Sequence, residues 1–598
     1  LTSHDRGLTW TVQDLPLVSA EAAGATSVEM GPDGFGFVAG GAIGLPFAGA
    51  RVSVSRDAGT TWTAAGEPAL IGPIYGAARA NGAGGHLMAA AGPGGISWSP
   101  DGGATWRVAD TRSHWAVAFT DDGTGWAVGP RGTVTRLDFE HPEVRQGDLV
   151  VVGGRLFSGM EDEAISNPGV LIRDGVILAM GFDDRNVPEG AEVVRVADHA
   201  TVLSGFFDLH AHYALDLFGE GRLGRVDEAK VNAAVFLANG VTSTFPAGEV
   251  TPTAFDEAVA AIASGERPGP RIHRSGAYFG SWRAGWDHGA MTSDSIRAEV
   301  RYWAGRGVRG FKAKGIRPAQ LEVLIDEAHR FGLTVTGHLD SGFRDSVNPR
   351  DAIAMGIDRV EHFLGGDATP ADRSAYASIE RFDLDDPETR RLIDEQVGRF
   401  VDGGVFFDAT LHTYGYYAER DPEVFPYFRD EMGILTPYAR SVVEARLPMD
   451  PNEQFGRIYR VKHGTVRAFV EGGGAHLLTV GTDHPSWGEY FSGFALHREL
   501  HALSRADVPN HVVLRAATAN AARALGLGHR LGTIEPGKLA DLVVVDGDPL
   551  ADITVTRKLL HVIRDGRVYD PAALLDSVRG TLGPVGPEEA AAWGAGLP

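Results

Sequence analysis

Between residues 202 and 526 short apolar runs alternate with stretches of helical periodicity, and that alternation constrains the fold of this 598-residue chain more than anything else in it. The runs lie at 202–209, 241–246, 270–276, 308–312, 333–338, 358–362, 404–410 and 476–483. Helical patterns such as 226–239, 294–305, 318–331 and 388–403 fill the gaps. A strand, a helix and a second strand make a parallel pair, because a helical crossover returns the chain to the same end of the sheet. Eight such repeats in roughly 320 residues predict an α/β fold of the (β/α)8 TIM barrel type over 202–526. In that fold functional groups gather at the C-terminal ends of the strands.

The polar residues at those ends are unusual. Side chains two apart on a strand share a face, so His210 and His212 after the first run point the same way. The fourth run, Val308-Arg309-Gly310-Phe311-Lys312-Ala313-Lys314, carries lysine in apolar company. The fifth ends in His338, the sixth in His362 and the eighth in Asp483. Each alone has a bland explanation: a lysine snorkels, and a histidine or aspartate caps a turn or helix. Five strand ends agreeing points to a site at the barrel mouth, and the paired imidazoles of His210 and His212 form half of a site for a zinc-like ion. The chain has no cysteine, which excludes thiolate ligands, disulfides and a cysteine nucleophile.

On these residues the stretch 147–575 resembles the amidohydrolase superfamily, in particular its imidazolonepropionase-like and prolidase-like branch. The likeness extends to the leader Thr201-Val202-Leu203-Ser204-Gly205-Phe206-Phe207-Asp208 and to Asp326-Glu327-Ala328-His329-Arg330-Phe331-Gly332. It also takes in Phe494-Ala495-Leu496-His497-Arg498-Glu499-Leu500 and the tail Leu531-Gly532-Thr533-Ile534-Glu535-Pro536-Gly537-Lys538-Leu539-Ala540-Asp541-Leu542. The resemblance implies one or two divalent ions, zinc foremost. His210, His212 and Asp483 would hold the first, His338 and His362 the second, and Lys312 would bridge them as a carbamate. It further implies a water activated between the ions, with Asp483 carrying its proton to the leaving nitrogen. Lys314 lies on the same face as Lys312 and is the alternative bridge. The family pattern, lysine directly after an apolar residue such as Phe311, favours Lys312.

Residues 411–457 form an insertion rich in aromatics, Tyr414, Tyr416, Tyr417, Phe425, Tyr427, Phe428 and Tyr438 among them. Long segments over a barrel mouth serve as lids or specificity elements. His412 and Tyr414 follow the seventh run directly and are candidate substrate contacts; Arg344 and Arg350 are candidates for a substrate carboxylate. An aromatic pocket with few polar groups suits a small molecule such as a dipeptide, an N-acyl amino acid or a cyclic amide. The expected activity is therefore metal-dependent hydrolysis of an amide-type C–N bond. The alternatives are a lactone or phosphotriester hydrolase with the same site, and a non-catalytic propeller-based binding protein.

The flanks read as β structure. Val170-Leu171-Ile172-Arg173-Asp174-Gly175-Val176 and Val562-Ile563-Arg564-Asp565-Gly566-Arg567-Val568 are matching hairpins with Asp-Gly turns. They predict one small β-sandwich built from 147–201 and 527–575, with 576–598 a loosely ordered tail rich in Gly and Pro. Before it, Ser-x-Asp-x-Gly-x-Thr-Trp occurs at 3–10, 55–62 and 99–106. Asp33-Gly34 and Asp122-Gly123 head a second echo. These repeats resemble the Asp-box of sialidase-like propellers, and their spacing suits one four-stranded blade each. Three blades close no propeller, and the first box already stands at residue 3, so 1–140 reads as a partial all-β propeller, truncated or completed by another chain. Such propellers dock proteins or glycans and lean the localisation towards outside the cytoplasm. A formal charge of -23 disfavours a nucleic-acid partner, and no apolar run approaches the ~20 residues of a membrane-spanning helix. Sequence leaves the oligomeric state open.

Overall fold

The computed structural model describes residues 14–592 apart from 21, 32–33, 44–49, 81–86, 101, 121–123, 138–143, 168, 181–189, 214–225, 250–255, 281–290, 418–430, 446–451 and 485–492. The first repeat (3–10), Asp33, Asp101, Asp122 and the aromatics Phe425, Tyr427 and Phe428 of the insertion lie outside the described residues. The chain forms two compact units. One comprises 1–198 with 534–540, the other 199–533 with 541–598.

In the first unit antiparallel sheets follow one another along the chain. Ala23–Met30, Gly36–Ala42, Val52–Ser55 and Thr63–Ala64 make one, and Gly76–Arg79, Met88–Gly92, Gly95–Ser99 and Arg107–Asp110 the next. Ala116–Phe119, Gly125–Val128 and Val134–Leu137 form a third. The second of the Ser-x-Asp-x-Gly-x-Thr-Trp repeats does what its chemistry dictates. Asp57 accepts hydrogen bonds from the Ser55 hydroxyl at 2.8 Å and from the Thr61 amide and hydroxyl at 2.8 and 2.6 Å. Gly59 takes φ 85°, and the Trp62 indole donates back to its carbonyl at 3.1 Å. The Trp106 indole donates to Gly103 in the same way at 3.0 Å.

Segment 534–540, which interrupts the second unit in sequence, belongs to the first and folds back onto the hairpin Val170–Arg173 and Val176–Met180. The amides of Ile177, Gly537 and Ala540 donate to Lys538, Ile177 and Gly175, each at 2.8 Å. In the second unit Thr201–Ser204 pairs antiparallel with Leu542–Val545, which continues into Leu559–Arg564 and Arg567–Tyr569. The run expected as one strand over 202–209 is therefore two. It breaks at Gly205, where any Cβ would collide with Thr242, and the barrel strand proper is Phe206–Ala211.

From there the strands pair in parallel and in chain order: Phe206–Ala211, Val241–Pro246, then a third strand in two pieces, Arg271–Ile272 and Phe279–Gly280. Gly310–Lys314, Thr334–His338, Arg359–Glu361, Phe406–Asp408 and Leu478–Thr479 follow. The Leu209 amide donates to Val480 at 3.0 Å and Ala211 bridges His484, so the eighth strand meets the first and the ring closes. Helices Val226–Ala238, Ser293–Ala304, Pro318–Arg330 and Pro387–Gly403 fill gaps between strands. Where described, the insertion over the mouth is helical, with Leu411–Tyr417, Met432–Ile434 and Pro437–Ala445.

The C-terminal stretch departs from the loose tail expected of it. Gly580 and Leu582 donate to the Gly433 and Ile434 carbonyls at 3.0 and 2.9 Å, and the Thr436 amide donates to Leu582 at 2.8 Å. Leu582 is buried with Val231, Val235, Met432, Ile434 and Ala439. Its Gly and Pro punctuate a strap laid along the insertion.

Candidate functional site

The ends of the first, fourth, sixth, seventh and eighth strands converge. Asp208 ties the first to the eighth: one oxygen accepts the His210 and Thr482 amides at 3.0 Å each, the other the Thr482 hydroxyl at 2.7 Å. That tie fixes the two strand tips bearing His210 and Asp483. Asp483 Oδ1 lies 3.2 Å from His210 Nε2 and 2.9 Å from His212 Nε2, so the two histidines do share a face. Gly481 makes the approach possible, because a Cβ there would stand 2.1 Å from Asp408 Oδ2 and 2.5 Å from the His210 Cβ.

On its other side His210 Nδ1 lies 3.5 Å from both Glu361 Oε2 and Asp408 Oδ2. Lys312 Nζ is 3.4 Å from His210 Nε2 and touches Glu361 Oε2. The His362 ring stands 5.1 Å from that of His210 and 4.3 Å from that of His338. Two overlapping groups have ligand atoms mutually within 4.8 Å: His210, His212, Asp483 and His210, Glu361, His362. The neighbour of His362 in the second group is thus Glu361, where sequence placed His338. Of the two lysines on the fourth strand, buried Lys312 faces the cluster through His210 and Glu361; Lys314 is only partly buried.

The electrostatics favour a cation. Burial takes His212 down to about 4. Burial first and neighbouring positive charges second hold His338 and His362 well below the usual imidazole value, leaving neutral rings, the form that binds metals. Burial, with Lys314 beside it, pushes Lys312 well below the usual ammonium value. Burial opposes ionisation of Asp483, but His210, the hydrogen bonds from His210 and His212, and His362 keep its carboxyl far below the ordinary range. Among the described residues His362 Nε2 and both Asp408 carboxylate oxygens take part in no hydrogen bond. Buried acceptors left so beside imidazoles are costly unless something cationic satisfies them. The residues present fit a divalent ion.

Sequence reasoning missed Glu361, Asp408, Thr410 and Arg359. The last, buried beneath the cluster, donates to the Leu209 carbonyl at 2.8 Å and to the Thr336 hydroxyl at 3.1 Å, and that hydroxyl in turn donates to Glu361 Oε1 at 2.8 Å. The proposed substrate contacts separate. Tyr414 is buried, its ring 6.3 Å from His362 and 5.5 Å from Phe363, its hydroxyl donating to Tyr376 at 3.2 Å. His412 is buried against His484, rings 4.4 Å apart. Arg344 is exposed and lies over the ring of Phe343 at 4.9 Å, and Arg350 is engaged by Asp351 and Asp367. Neither arginine joins the cluster.

With this geometry in hand, comparison with known proteins is informative. Residues 462–569 match the amidohydrolase family. This segment carries the eighth barrel strand with Asp483. A curated relative, 5-methylthioadenosine/S-adenosylhomocysteine deaminase of Syntrophobacter fumaroxidans, is 40% identical over 75 residues, 12% of this chain and 17% of its own length. The chain thus matches well under two thirds of that relative. Among solved structures, a Xaa-Pro dipeptidase with bound methionine aligns at TM-score 0.52 and 20% identity, covering 71% of this chain and all of the other. A putative prolidase from Bifidobacterium longum aligns at 0.51 and 22%, over 73% and 100%. Phenylurea hydrolase B aligns at 0.52 and 19%, again over 73% and 100%. At these identities the likeness is one of fold.

Proposed function

We propose that this amidohydrolase-like chain is a metal-dependent hydrolase that cleaves an amide-type C–N bond of a small substrate, a dipeptide, N-acyl amino acid or cyclic amide. The observation that carries the reading is the pair of overlapping ligand groups joined at His210, with Lys312 Nζ against their shared ring. His210, His212 and Asp483 would hold one ion; His362 with Glu361, and His338 beside them, a second; Lys312, carried as a carbamate, would lie between. Zinc suits the nitrogen-rich donors. When bound, such ions supply an acidified water and a polarised carbonyl.

The chain's own residues do the rest. Asp483 is the one carboxylate of the cluster with appreciable exposure, 24% against none for Glu361 and Asp408. It is therefore placed to take a proton from the attacking water and release it to the departing nitrogen. The buried aromatics Tyr414 and Phe363 beside His362, with the half-buried Tyr376 packed against them, favour a substrate with an apolar group next to the scissile bond. The names of the structural neighbours, a dipeptidase and a phenylurea hydrolase, lean the same way.

We read the Asp-box sheets as blades of a partial propeller that docks a protein or glycan outside the cytoplasm, and the flanks 147–201 and 527–575 as one sandwich around the barrel. The decisive experiment is elemental analysis followed by an amide, lactone and phosphotriester panel with and without chelator. One to two equivalents of zinc and chelator-sensitive amide turnover are expected. A metal-poor chain that stays inactive after zinc loading in bicarbonate would sink the reading, and preference for lactones would move it to the alternative bond.

A further inference from the structure

The chain after the seventh strand, residues 409–412, is gripped from two helices at once. Helix Glu453–Glu471 sends the buried Lys462 to the Ala409 carbonyl. Helix Phe494–Arg505 sends the buried Glu499, whose two oxygens accept the Leu411 and His412 amides at 2.9 and 2.6 Å. Between these ties stands Thr410 at φ 45°, a left-handed conformation that a β-branched residue rarely adopts and that persists only when its surroundings enforce it.

The Thr410 hydroxyl donates to the Ala409 carbonyl at 2.8 Å and lies 2.7 Å from His362 Nδ1. A hydroxyl has one proton to give. With that proton on Ala409, Nδ1 of His362 must be the donor in the second contact, and Nε2 keeps its lone pair. That Nε2 is one of the buried atoms without a hydrogen-bond partner among the described residues. We propose that Lys462 and Glu499 are positioning residues: they clamp 409–412 so that Thr410 fixes the tautomer and aim of His362. The metal reading enters only in what Nε2 binds. A mere helix-packing ion pair would turn ammonium and carboxylate to each other, whereas here each is aimed at the backbone of one loop.

The test uses the full chain, labelled with nitrogen-15 histidine and stripped of metal, with His362→Gln to assign the resonance. A single Nδ1–H tautomer is expected in the parent and in Thr410→Ser, and its loss in Thr410→Val, Lys462→Met and, in part, Glu499→Gln. Zinc titration of the same proteins should show affinity at the weaker site lowered about 10–100-fold in Thr410→Val and Lys462→Met. The double variant should be no worse than Thr410→Val alone, because Lys462 acts through that hydroxyl. Additive losses overturn the proposal, as does an unchanged tautomer in Lys462→Met or, should that variant not fold, in Glu499→Gln. If the parent takes up no zinc, the hydrolase reading fails while the tautomer comparison still decides the clamp.

Discussion

Asp483→Asn is the substitution that most sharply separates ligand from proton carrier. It keeps the volume and an oxygen for the His212 contact at 2.9 Å, but removes the charge and the capacity to accept a proton. Because His210, His212, Glu361 and His362 remain, most of the ligand field survives and metal content should stay near the parent's. General acid–base work by one side chain is worth about 10²–10⁴ in rate, roughly 3–5 kcal/mol of barrier. The upper half is expected here, because the other carboxylates of the cluster, Glu361 and Asp408, are fully buried and cannot exchange protons with solvent in its place. The assay is kcat/KM on the best amide of the panel, with metal per chain measured on the same sample. A variant that keeps its zinc and turns over within threefold of the parent would refute the assignment. A variant that loses both would return Asp483 to a purely ligating role.

Two further outcomes follow from the flanking structure. Asp57→Ala removes three hydrogen bonds from an exposed turn and should cost the first unit about 1–3 kcal/mol, read by thermal unfolding or limited proteolysis. Burial works against ionised Asp57, but the Thr61 and Ser55 bonds outweigh it and hold its carboxyl low, so its stabilisation is present above the unfolded value near ~4 and vanishes as pH falls through the lower folded value. The gap between parent and Asp57→Ala should therefore close in acid; a gap constant down to low pH contradicts it. Leu582→Ala opens a cavity under Met432, Ile434 and Ala439, and a loss of about 3 kcal/mol is expected, with faster proteolytic cutting within 431–445. Unchanged cutting would mean the strap is idle.

The parallel strands and the histidines at their tips were legible because a period of two switching to one of 3.6 is written locally. The missed members of the cluster have a physical explanation. Glu361 sits beside His362, and ordinary alternation would send the two to opposite faces; φ 68° at His362 breaks that alternation and brings both inward. A lone aspartate at a strand end, as Asp408 is, reads equally well as a helix cap. The pairing that ends the first piece before Gly205 and the strap around Leu582 depend on partners far along the chain, Val543 and Ile434 among them. Arg344 and Arg350 looked available only because their partners, a neighbouring ring and two aspartates, are set by tertiary structure.

His362, Thr410 and Asp483 all stand at positive φ without being glycine. Each such residue carries a penalty of order 1–3 kcal/mol, so the strand ends of this barrel carry a standing internal load. Selection for thermal tolerance alone would drift these positions towards glycine or asparagine, yielding a hardier protein with a blunter site. A search for stabilising substitutions should therefore leave these three untouched and look to the outer helices instead.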